Sequence, residues 1–147
     1  MTYPPPYGRG FGRGWSRGRG WGPLPTLPPL PPPPPNGLRI VATVDSNVGL
    51  NSPISFRFAR APLIAVVDTV GGKVVNLKIL ENPYATAPHG AGMGLGQWIV
   101  ASGVKLVIAP RLGPNISFVL QQAGVRVEIV PPGIPLSEAL RRLGITT

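Results

Sequence analysis

The sequence contains no cysteine, a single histidine, two methionines and five acidic residues in 147. Without thiols there can be no disulfide, no Cys-ligated zinc and no cysteine-held iron–sulfur site. The absence is compatible with a reducing, cytoplasmic setting. The five acids, Asp45, Asp68, Glu81, Glu128 and Glu138, are spread over separate segments. Two-metal hydrolysis needs several clustered carboxylates, so a nuclease centre is not expected. Asp45 reads instead as a turn cap. No G-x-S-x-G elbow is present, which argues against a serine-hydrolase triad. No apolar run reaches the roughly 18 residues of a membrane span. The N-terminus lacks the basic and apolar regions of a signal peptide.

Basic residues are not scarce. Fourteen Lys/Arg give a net charge of +9, which makes acidic partners plausible. The chain divides by composition. Residues 1–36 hold 12 of the 21 prolines, 7 of the 20 glycines, four arginines and no acid, leaving +5 for residues 37–147. Residues 1–22 interleave Arg9, Arg13, Arg17 and Arg19 with Tyr7, Phe11, Trp15 and Trp21. Such a tract buries too little to fold alone. It has the composition of flexible RNA-binding segments and equally of a plain solubilising tail. Residues 23–35, ending in five prolines, read as a stiff polyproline II spacer that could dock an aromatic groove. We therefore expect a disordered tail over 1–36 and one domain over 37–147.

Leu38–Val44 and Leu63–Thr69 are short, apolar and β-branched, as buried strands are. Gly71-Gly72 predicts a two-residue hairpin into a third strand, about Lys73 to Leu80. Gly103-Val104, Gly124-Val125 and Gly144-Ile145 each follow a helical pattern, the sign of left-handed glycine caps with an apolar contact. A helix from Pro114-Asn115 would bury Ile116, Val119, Leu120 and Ala123. A last helix over about Pro135 to Leu143 would bury Leu136, Ala139, Leu140 and Leu143. The order β-β-β-α-β-α-β-α predicts an α/β fold with a mixed five-stranded sheet and helices on its faces. Ligands of such sheets gather in loops beyond strand ends. The natural contributors are the loops at His89, at Arg111–Pro114 and at Asp45–Pro53.

The His89 loop is the richest in chemistry. His89-Gly90-Ala91-Gly92-Met93-Gly94-Leu95-Gly96 places four glycines at alternate positions after the only imidazole. A helix beginning here would present unpaired N–H groups and its positive end to an anion. The run matches neither the dinucleotide fingerprint nor a P-loop. It can equally be a tight turn into a helix packed close to a sheet, with an ordinary surface histidine.

Taken in order, Leu38–Asp45, Ser52–Pro62, His89-Gly90-Ala91-Gly92, Leu112-Gly113-Pro114-Asn115 and Gly124–Val127 resemble the dinitrogenase iron–molybdenum cofactor biosynthesis family. The resemblance covers nearly all of 38–143 and nothing before it. It implies a ribonuclease-H-like fold. It also implies a non-catalytic protein that binds a metal–sulfur cluster, the iron–molybdenum cofactor or a related one, and passes it between donor and recipient proteins. On this resemblance the cluster-binding residues are His89, as metal ligand, with backbone at Gly90, Ala91, Gly92, Gly113 and Asn115. Where many members show a histidine before F-G-R-A, this chain has Arg57, and Ala59 replaces the glycine. Arg57, Arg60 and Arg111 offer positive charge in place of a second imidazole. Met93 is either a soft thioether ligand or a buried core residue. The alternative function is nucleic-acid binding, with RNA held by the N-terminal tail and the domain as scaffold.

Overall fold

The computed structural model describes residues 27–147. Its strands are β1 (Gly37–Val44), β2 (Leu63–Val70), β3 (Lys73–Glu81), β4 (Leu106–Ala109) and β5 (Arg126–Ile129). Its helices are α1 (Ala91–Ala101), α2 (Pro114–Gln122) and α3 (Leu136–Arg142). The sheet order is β3-β2-β1-β4-β5. β1 runs antiparallel to β2 and β2 to β3, while β4 is parallel to both β1 and β5. The expected meander followed by two parallel strands is therefore present.

The near-continuous apolar runs of β1, β2 and β4 follow from burial on both faces. Val41, Ile64, Val66 and Val107 pack beneath α1 and α2 with Leu95, Trp98, Ile99, Ile116 and Leu120. Ile40, Ala42, Val44, Ala65, Val67 and Ile108 face the other way, onto Leu136, Ala139 and Leu140 of α3. Strand periodicity of two produces this division.

Turn chemistry holds as read. Gly71 and Gly72 have φ of 61° and 80°, the pair of positive values that the tight β2–β3 hairpin needs. All three helices end in one motif. Val104, Val125 and Ile145 donate N–H to the carbonyls of Ile99, Leu120 and Leu140 across glycines at φ of 75°, 74° and 80°. Gly103, Gly124 and Gly144 donate to Val100, Gln121 and Arg141. This double closure is the Schellman cap, with the following β-branched residue buried against the core. After the third cap Thr146 pairs with Lys73, extending the chain beside the hairpin end.

The tail expectation divides at residue 26. For residues 1–26 it falls, with the Arg/aromatic tract and its RNA reading, outside the described residues. Residues 27–36 depart from it, because they lie on the domain. Leu27 and Leu30 pack against the α1-side core, and Pro34-Pro35-Asn36-Gly37 turns the chain into β1 with Gly37 N–H on the Pro34 carbonyl at 2.8 Å. Pro35 and Asn36, the latter at φ 59°, suit the two central positions of such a turn. The physical reason is entropic. Prolines are already restricted before docking, so ordering them costs little.

Candidate functional site

The start of α1 separates two clefts. Gly90 precedes the helix in the left-handed region at φ 76°, and the first intrahelical bond is Gly94 N–H to Gly90 O at 2.9 Å. The α1 start has no side-chain cap and no acid in its first turn. The start of α2, with Gly113 at the cap and Pro114 following, is likewise uncapped and without acid. Orphan N–H groups and the positive ends of two helices thus lie at neighbouring loops.

On one flank is a cleft of about 420 Å³, walled by Phe56, Arg57, Gly92, Arg111, Gly113 and Asn115 among others, none of them acidic. Arg57 and Arg111 form no ion pair among the described residues. The loop carrying Arg57 is pinned to β1. Thr43 Oγ1 donates to the Arg57 carbonyl at 3.3 Å, and Arg57 N–H donates to Ser55 Oγ at 3.2 Å. The guanidinium stands 5.5 Å from the Phe56 ring centroid, in cation–π range. Arginine on a fixed backbone opposite two helix N-termini can hold a multivalent anion through charge-assisted hydrogen bonds.

On the other flank is a cleft of about 300 Å³ lined by Tyr84, His89, Gly90, Gln97 and Trp98, with Leu27 and Pro29 from the docked segment. The predicted residues are therefore divided. Arg57, Gly92, Gly113 and Asn115 come together with Arg111. His89 and Gly90 line the second cleft, and Ala91 is buried between. Arg60 belongs to neither wall; its guanidinium donates to the carbonyls of Ala85, at 3.4 Å, and Ala87, bracing the chain that leads to His89. Met93 is 40% exposed, so the buried-core alternative does not hold, and it lines neither cleft.

The Asp45–Pro53 loop also lies elsewhere. Leu50 packs on the α3-side core, and Leu136 N–H donates to the Ser52 carbonyl at 2.9 Å. The segment that reaches the basic cleft is Phe56–Ala59, beyond the loop singled out in the sequence. Buried Asn82 aligns this segment with the histidine loop. Its Nδ2 donates to the carbonyls of Ala59 and Ala61, and its Oδ1 accepts from Tyr84 N–H.

The alternating glycines have separate tasks. Gly90 makes the turn. A Cβ on Gly94 would lie 2.7 Å from the Tyr84 ring, and one on Gly96 would lie 3.2 Å from Ile116 of α2. Gly92 alone stands in the basic cleft, with 3.7 Å of ordinary clearance to Ile116. Half of the run is thus close packing, the plainer of its two readings.

A buried ion pair escaped the sequence reading. Arg39 Nε and Nη2 meet the two carboxylate oxygens of Asp68 at 2.7 and 3.2 Å, with both side chains under 10% exposed. Each is the lone charge in an apolar strand, and two such residues of opposite sign must find one another when buried. That was the available signal. Among the described residues no three His, Asp or Glu side chains gather into a metal-holding group, and no helix is long and apolar enough to cross a membrane.

Fold and cleft together define a small α/β domain with a basic cleft at two helix N-termini. The chain belongs to the dinitrogenase iron-molybdenum cofactor family, whose profile matches residues 39–144. It is similar in structure to the apo form of the orange protein from Desulfovibrio gigas, at 29% identity and TM-score 0.64, over 71% of this chain and 85% of that one. It is similar also to a NifB-like protein from Thermotoga, at 34% identity and TM-score 0.59, over 72% and 86%. An uncharacterized protein of Methanocaldococcus jannaschii is 30% identical over 77 residues, 52% of this chain. The chain spans 65% of that relative's length. Family and neighbours place the domain among proteins concerned with cofactor binding and biosynthesis.

Proposed function

We propose that this chain is a non-catalytic carrier. It binds an anionic metal–sulfur cluster, the iron–molybdenum cofactor or a related one, taking it from a donor protein and yielding it to a recipient. The observation that carries the reading is the basic cleft, where two uncapped helix starts, Arg57 and Arg111 converge with no carboxylate in the wall. The family match supports the same reading.

The donor set favours recognition of an intact cluster through its outer atoms. With no cysteine in the chain, the cluster keeps its own sulfides. N–H groups at Gly92, Gly113 and Asn115 and the two guanidinium groups face them. His89 is the one imidazole able to bond a metal. From the far flank of the α1 turn it reaches only a cluster seated across the helix start. Weak outer contacts suit a carrier, since they allow release to a partner.

The test is anaerobic titration with isolated iron–molybdenum cofactor, and with tetrathiomolybdate as a simpler anionic probe, followed by visible absorption. Arg57→Ala and Arg111→Ala are each expected to weaken binding about tenfold, roughly 1.4 kcal/mol. The difference should shrink at high salt, as exposed charges are screened. His89→Ala is expected to cost less than the double arginine variant and to leave the fold intact. Equal affinity for wild type and the double variant would refute the site. Failure of the wild type to bind either probe would refute the carrier reading.

A further inference from the structure

The docked segment 27–34 meets the domain with a repeat of three. Leu27, Leu30 and Pro33 are half-buried, while Pro28, Pro29, Pro31 and Pro32 are exposed; Pro34, also half-buried, begins the turn into β1. The carbonyls of Pro28, Pro31 and Pro34 accept hydrogen bonds from Trp98 Nε1 at 2.9 Å, Arg39 Nη1 at 2.6 Å and Gly37 N–H at 2.8 Å. Three residues per turn is the period of polyproline II, which makes no internal hydrogen bonds and displays its polar groups outward. The segment has only two N–H groups, at Leu27 and Leu30. Both donate to side-chain oxygens, Tyr84 Oη at 3.4 Å and Ser102 Oγ at 3.1 Å. Domain side chains thus meet both N–H groups of the segment and two of its carbonyls, and the third carbonyl closes the turn into β1.

We propose that Tyr84, Trp98, Ser102 and Arg39 form a polyproline-reading groove, occupied in cis by residues 27–34, and that this strap can be displaced to open the His89 cleft. The groove has what such recognition needs: aromatic walls for the apolar edge, with polar atoms at their tips. Its register is leucine, leucine and proline at every third position. Leu27 and Pro29 form part of the wall around His89 and Gly90, so the cleft is complete only while the strap is seated. The strap is held at one end by the turn into β1, which gives it a high effective concentration over the groove. Its buried face is limited to four half-buried side chains, Leu27, Leu30, Pro33 and Pro34, so lifting it leaves the sheet core closed.

The experiment uses the full chain with Trp15→Phe and Trp21→Phe, which leaves Trp98 as the sole tryptophan. Leu27→Ser/Leu30→Ser, on the inward register, is expected to red-shift Trp98 emission and to remove its protection from acrylamide. Pro32→Ala, on the outward register, is expected to leave both unchanged. A synthetic peptide of residues 25–36 should bind the Leu27→Ser/Leu30→Ser protein saturably and restore protection. The same peptide carrying the two serines should not. Far-ultraviolet circular dichroism checks that the variants remain folded. Unchanged Trp98 exposure in the inward variant, equal effects of inward and outward changes, or no rescue by the wild-type peptide would each overturn the proposal.

Discussion

Replacing Asp68 with alanine strands a buried guanidinium. Arg39 makes four hydrogen bonds, two to Asp68 and one each to the carbonyls of Pro31 and Ser102, the last two at 2.6 and 2.8 Å. Both charged side chains are nearly sealed, at 6% and 7% exposure. The substitution removes half of those bonds and the only counter-charge. Breaking a buried pair from one side costs about 3–5 kcal/mol, because the remaining charge loses its partner without regaining water. Total domain stability is about 5–15 kcal/mol, so about a fifth or more is at stake. The melting temperature should fall by roughly 10–20 °C for a domain of this size. Urea unfolding followed by circular dichroism measures the change, and an unaltered denaturant slope would mark it as a stability effect. Asp68→Asn, which keeps the shape and one acceptor, should lose less. In the double variant Arg39→Met/Asp68→Leu no charge is stranded, and the cost should fall to about 1–3 kcal/mol from the carbonyls left unpaired. A loss below about 1 kcal/mol in Asp68→Ala would refute the reasoning, since it would mean that water reaches the guanidinium.

Gly94→Ala should destabilise by about 1–3 kcal/mol in urea unfolding, because its Cβ would lie 2.7 Å from Tyr84. Gly92→Ala should raise helix stability by up to about 1 kcal/mol while lowering tetrathiomolybdate affinity, since its methyl has room in the fold but intrudes on the basic cleft. Gly124→Ala should cost about 1–2 kcal/mol from backbone alone, as the residue sits at φ 74° and an added methyl would meet nothing within 4 Å. Deleting residues 1–36 should lower stability by about 1–3 kcal/mol, as Trp98 and Arg39 lose their carbonyl partners; an unchanged urea midpoint would return the segment to the status of a free spacer.

The strands and caps were legible because their signals are local. β-branched runs, a Gly-Gly hairpin and three glycines each followed by a β-branched residue need only neighbouring positions for their meaning. The docked segment was legible only as polyproline II able to dock an aromatic groove; where it docks was hidden for a different reason. Its apolar positions recur every three residues, neither the two of a strand nor the 3.6 of a helix, and proline dominates the composition. Three of its partners, Tyr84, Trp98 and Ser102, lie more than fifty residues away in the chain, and only Arg39 is near. The pairing of Arg39 with Asp68 was hidden by register. The two residues stand opposite one another in the antiparallel β1–β2 pair, but the connection between the strands is long, so no turn fixes that alignment in sequence.

The residues singled out in the sequence fall into two clefts rather than one, and the division has a geometric cause. Along a helix, residues two apart point to nearly opposite sides, whereas residues four apart share a face. Glycines at alternate positions therefore cannot all line one cleft once the run becomes helical. Gly92 and Gly96 turn toward α2 and the basic cleft, while Gly90 and Gly94 turn toward Tyr84 and His89. A ligand loop requires the run to stay extended, and the left-handed turn at Gly90 ends that possibility at the first glycine. On the proposed reading, the anion-accepting elements are the helix starts themselves, with the arginines that the neighbouring loops supply. Arg57 stands there because β1 and Ser55 hold its backbone, and Arg111 because β4 ends just before it. Exchanging either for glutamate should repel the anionic probe more strongly than alanine weakens it. The same exchange at Arg60, whose guanidinium is bound to the carbonyls of Ala85 and Ala87, should act through the position of the His89 loop and show little dependence on salt.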